Sequence, residues 1–86
     1  MGFELTHHAR FEIGRRQITE QLVMAVLEKP EQVVTERGGL VAYQSRVIFE
    51  PAGEMLVRVI VDERAHPPRV ITVYRTSKIE KYWRQP

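Results

Sequence analysis

The sequence predicts an α+β fold, with two N-terminal helices packed on one face of a three- or four-stranded antiparallel sheet and a short C-terminal helix. Three observations predict it. Apolar residues recur at helical spacing before Pro30 and alternate after it. Gly38-Gly39 and Pro51-Ala52-Gly53 then cut the alternating half into strands.

Phe3-Glu4-Leu5 alternates and reads as a short strand or extended lead-in. Thr6 is placed to cap a first helix, in which Phe11 and Arg15 lie beyond His8, and Gly14 ends or weakens it. Thr19 caps a second helix, with Glu20 near the positive end of its dipole. Ile18, Leu22, Val26 and Lys29 share one face of it, Val23 and Leu27 widen the apolar stripe, and Lys29-Pro30 stops it. Val33-Val34 can start a strand, and Gly38-Gly39 marks a tight turn. Residues 40–49 form a strand rich in β-branched and aromatic side chains. In residues 55–62, Val57, Val59 and Val61 point one way, and Leu56, Arg58, Ile60 and Asp62 the other. With the valines facing the helices, Arg58 and Asp62 face outward or toward a ligand. The loop Arg64-Ala65-His66-Pro67-Pro68 precedes a strand from Val70 to Arg75, and Thr76 or Ser77 caps the terminal helix.

At 86 residues, 43% of them hydrophobic and 28% charged, the chain has room for one domain, residues 1–86, and ordinary globular composition. Zero cysteines exclude a disulfide framework, a thiolate zinc site and a cysteine nucleophile. No apolar run approaches the roughly 20 residues that span a bilayer, and no signal peptide opens the chain. The expectation is a soluble cytoplasmic protein with no membrane partner.

The net charge of +2 is too small to announce a nucleic-acid binder, but its distribution is uneven. Residues 1–18 carry +1, residues 19–63 carry −4 and residues 64–86 carry +5. Should the two ends meet, they make a basic patch suited to phosphate. The alternative is a pair of solvated tails.

His7-His8 supplies the side chain whose charge changes nearest neutral pH. Adjacent helical residues point about 100° apart, so the two cannot share one task. His66, in a proline-rich loop, is read as passive. No local set of zinc ligands can be assembled and no glycine-rich phosphate loop is present, so neither a metal nor a cofactor is expected. Tyr74-Arg75-Thr76-Ser77-Lys78 combines two cations, three hydroxyls and a helix start, the mixture that phosphate binding needs. Its plainer reading is a strand end with a helix cap. Tyr82 and Trp83 dock the last helix on the core.

Thr6-His7-His8-Ala9-Arg10, then Arg15/Arg16-Gln17-Ile18-Thr19, then Val73-Tyr74-Arg75-Thr76-Ser77 resemble a small prokaryotic family, domain of unknown function 4258. The similarity covers nearly the whole chain. More distantly, the architecture is similar to the RelE-like toxin ribonucleases. That second resemblance is one of fold, and it implies a metal-independent endoribonuclease, the toxin of a toxin–antitoxin pair. It also implies His8, Tyr74 and Arg75 as catalytic residues, with Arg10, Ser77 and Lys78 on phosphate. The expected partners are RNA and an antitoxin protein. The alternative from another class is a non-catalytic nucleic-acid- or protein-binding module. A third is a homodimer joined by an exposed strand edge or by the apolar Leu56/Ile60 side.

Overall fold

In the computed structural model, which describes residues 2–85, both long helices start at the threonines that the sequence marks. The Thr6 hydroxyl accepts the Ala9 N–H at 3.0 Å and opens α1 (His7–Arg15). The Thr19 hydroxyl accepts the Leu22 N–H at 3.0 Å and opens α2 (Glu20–Glu28). Each hydroxyl satisfies one of the N–H groups that a helix start leaves unpaired.

Gly14 does not end α1. The chain turns at Gln17, whose φ is +57°. Ile18 N–H reaches back to the Ile13 carbonyl at 2.9 Å, and Gln17 N–H to the Gly14 carbonyl at 3.3 Å. These are the paired closing bonds of a left-handed helix cap, and Ile13 and Ile18, both buried, supply its apolar contact.

The strands are β1 (Glu4–Leu5), β2 (Gln32–Thr35), β3 (Val41–Phe49), β4 (Gly53–Asp62) and β5 (Arg69–Thr76). They form one five-stranded sheet in the order β1-β5-β4-β3-β2. Strands β2 to β5 make the antiparallel meander that alternation predicts. The expected three- or four-stranded antiparallel sheet is nevertheless corrected, because β1 adds a fifth strand parallel to β5. Two residues are too few to show a period, and their partner lies 65 positions away (Glu4 with Arg69). Between β2 and β3, Gly38 and Gly39 adopt φ of 69° and 78°, a conformation that glycine enters without steric cost.

The sheet has two covered faces. On one, Ala9 and Ile13 of α1 and Val23, Val26 and Leu27 of α2 form one core with Val57, Val59, Val61, Val70 and Val73. The other face takes α3 (Ile79–Tyr82) and the segment that carries Glu36. Leu56 and Ile60 are buried there within the chain, so they offer no surface for a dimer. Arg58 is buried as well and does not point to solvent. The α3 start differs in detail from expectation. Lys78 is its cap residue, and the Thr76 hydroxyl accepts the Lys78 N–H at 3.0 Å.

Candidate functional site

Register decides what the outward residues of β3, β4 and β5 become. Gln44 pairs with Arg58, and Arg58 with Tyr74, so the three stand in one row on the α3 face. The Arg58 guanidinium donates to Gln44 Oε1, Tyr74 Oη and Glu36 Oε2, each at 2.7 Å. Its Cζ lies 4.4 Å from the Tyr82 ring centre. Burial works against the charge, and the bonds to Glu36 and Tyr74 outweigh it, so Arg58 is held protonated. Burial pushes the Tyr74 phenol up, with its bond to Arg58 opposing. The row is a closed network that ties α3 to the sheet. Gln44 Nε2 also donates to the Tyr82 carbonyl at 3.2 Å.

Arg75 lies on the other face. It pairs with Val57, whose side chain joins the helix-facing core, and its Cζ sits 4.3 Å from the Phe49 ring centre. Its Nη2 donates to Gln17 Oε1 at 3.4 Å. Arg15, Arg16, Gln17, Met55 and Arg75 line one shallow depression there. Glu12, nearly buried, accepts from Arg16 at 2.6 Å and from Arg15 at 3.4 Å. These bonds, chiefly the one from Arg16, hold its carboxyl below the usual carboxylate range despite its burial. Three arginines thus line the depression, and Glu12 pairs with two of them. Arg15 remains 55% exposed at its side chain, which leaves donors free for a ligand.

The six residues predicted for the site divide among five places. His8 is exposed on the first turn of α1. That turn is held beside the start of β5, where Thr6 N–H donates to the Val70 carbonyl at 3.1 Å. Arg75 stands beyond the other end of the same helix, which rises roughly 10 Å between His8 and Arg15. Tyr74 belongs to the Arg58 network. Arg10 pairs with Glu20 across the α1–α2 surface. Ser77 and Lys78, both exposed, line a separate depression at the start of α3 with Ile79, Glu80 and Lys81. The two ends of the chain do meet, through Gln17 and Arg75, but the cations that gather there are Arg15 and Arg16, with Arg10 and Lys78 elsewhere.

The charge distribution places Arg15 and Arg16, with Arg10, in the basic patch expected where the two ends meet, although neither is among the six residues predicted for the site. The signal was their position just before the helix end, where the returning strand crosses. Among the described residues no group of three or more His, Cys, Asp or Glu side chains is placed to hold a metal ion. No helix among them is long and apolar enough to cross a membrane.

Residues 5–75 match the family described as Domain of unknown function (DUF4258), and the chain belongs to that family. No curated protein and no solved structure matches the chain.

Proposed function

We propose that this member of the family is an RNA-binding module that holds phosphates on Arg15, Arg16 and Arg75. The observation that carries the reading is that these three arginines, from two elements distant in sequence, line one depression. Guanidiniums present forked donors that match phosphate oxygens, and Gln17 adds a side-chain amide beside them. Contacts of this kind position a nucleic acid without reading its sequence. The test is fluorescence anisotropy with a labelled single-stranded RNA at several salt concentrations. Three phosphate contacts give a log–log slope of roughly −2, and Arg15→Ala with Arg75→Ala flattens it. Binding that ignores salt, or a double variant that binds like wild type, defeats the proposal.

The second reading is a RelE-like, metal-independent endoribonuclease, acting in the cytoplasm as a toxin with its antitoxin on a separate chain. It is favoured by His8, which is exposed on the helix that leads to the arginine depression and whose ring hydrogen-bonds to no described residue. In that reaction His8 takes the proton of a ribose 2′-hydroxyl, and the 2′-oxygen attacks phosphorus. The bond to the 5′-oxygen breaks, and the leaving oxygen takes a proton from water as a 2′,3′-cyclic phosphate forms. The separation of His8 from Arg75 assigns them different phosphates of one strand lying along α1. Arg75 would then anchor the neighbouring phosphate, and Arg10, the nearer cation in sequence, would have to leave Glu20 to serve the reacting one.

A further inference from the structure

Resting on the RNA-binding reading and deepening it, we infer that Phe11 is a base-stacking platform and that the ligand of the arginine depression is single-stranded RNA.

Phe11 is 64% exposed, the most exposed large hydrophobic side chain among the described residues. Its neighbours on α1 bury the other side of the helix: Ala9, Glu12 and Ile13 all face inward. Residues three and four apart on a helix share a face, so Phe11 stands between His7 and His8 one turn before it and Arg15 one turn after it. Arg15 itself lines the depression with Arg16 and Arg75. An aromatic ring is therefore set in line with Arg15, at one helical turn from it.

The surface over the ring is open. Side chains on a helix lean toward its N-terminus, so a side chain at position 14 would cover the turn that holds Phe11. Position 14 is glycine, and a Cβ placed there would meet nothing within 4 Å. An exposed ring one turn from Arg15 suits an unpaired base, whose flat face stacks on the ring while its phosphate reaches that arginine. In a duplex the bases are stacked on one another and present no free face to such a ring. The occupant is thus a strand with splayed bases.

The experiment compares wild type, Phe11→Ala, Phe11→Leu and Phe11→Trp, each checked by circular dichroism, for anisotropy binding to a labelled single-stranded RNA and to the duplex of the same sequence. Phe11→Ala and Phe11→Leu weaken single-strand binding by roughly 5- to 150-fold, whereas Phe11→Trp retains it. The salt slope stays as in wild type, because no ionic contact is lost, and duplex binding does not change. Phe11→Ala binding the single strand as wild type does, or losing single strand and duplex alike, overturns the inference while the arginine reading stands. Phe11→Leu binding like wild type also overturns it, since a merely apolar contact, such as one to a protein, would then suffice. Wild type that binds neither RNA removes the RNA-binding reading and this inference with it.

Discussion

Arg75 Nη2 donates to the side-chain oxygen of Gln17, a residue whose own backbone is left-handed at φ +57°. The position that closes α1 is one that glycine fills without strain, and an L side chain there costs roughly 1–2 kcal/mol. Glutamine occupies it and reaches the arginine 58 positions later in the chain. A local cost is thus coupled to the placement of a cation at the candidate site.

Gln17→Gly separates the two effects. It relieves the backbone and stabilises the fold by about 0.5–1 kcal/mol, the gain being reduced by glycine's greater freedom in the unfolded chain. It also frees Arg75 and weakens binding of single-stranded RNA. Urea denaturation and anisotropy measure the two quantities independently. A destabilised variant would mean that the glutamine side chain matters more to the fold than the relief of its backbone.

Arg58 governs the opposite face. Its charge is almost entirely inside the protein, and Glu36 is its carboxylate partner. Glu36→Gln leaves that charge without a counter-ion and destabilises the fold by about 3–5 kcal/mol. Arg58→Met removes the charge along with the need for it, and costs less than Glu36→Gln although it deletes three hydrogen bonds. Denaturant midpoints of the two variants decide the order, and the reverse order would show that the network's hydrogen bonds outweigh its charge balance.

What was legible in the sequence is what short-range chemistry controls. Thr6 and Thr19 cap because a hydroxyl three residues before an N–H can reach it, and Val57, Val59 and Val61 share a face because strands alternate. That Arg58 stands opposite the valines of β4 could be read from the same alternation, whereas its row with Gln44 and Tyr74 follows from strand register, which alternation does not give. That Arg58 is buried could not be read either, since its counter-ion Glu36 lies 22 positions away and no period links them. Nor could the pairing of β1 with β5, which sets α1 along β5 and so brings Gln17 to Arg75. Arg15 and Arg16 belong to the basic end that the charge distribution marks, and that long-range docking brings them beside Arg75, while Arg10 and Lys78, next to the same motifs, were carried elsewhere by the helix face and by the turn into α3.

Acid sensitivity follows from the carboxylates held below their usual range, Glu12 by Arg16 and Arg15, Glu31 by Arg46 and Asp62 by Arg64. A carboxyl whose folded value is depressed contributes stability that is fully present above the unfolded value, about 4.3 for glutamate. The contribution is lost as pH falls through the lower, folded value. Wild-type stability therefore declines on acidification below about pH 4–5, and Glu12→Gln shows a shallower decline because one of the titrating groups is gone. Urea midpoints between pH 7 and pH 3 check this. Parallel curves for the two proteins would remove Glu12 as a source of the acid dependence.

The ribonuclease reading predicts cleavage, and the geometry predicts how the two proposed residues divide the work. Purified protein cleaves single-stranded RNA in EDTA, and His8→Ala lowers kcat by roughly 10²–10⁴-fold through loss of the base. Arg75 stands beside the far end of α1 from His8, roughly 10 Å of helical rise away, and takes the neighbouring phosphate of the strand in this reading. Its loss therefore removes binding that substrate and transition state share, so Arg75→Ala raises KM and leaves kcat near wild type. His66→Ala, in an exposed loop, changes neither. An equal fall in kcat for His8→Ala and Arg75→Ala would mean that the helix and strand rearrange to bring the two to one phosphate. Absence of cleavage of any RNA by wild type that still binds it leaves the binding module, with His7, His8, Phe11 and Arg15 as one continuous contact surface along α1.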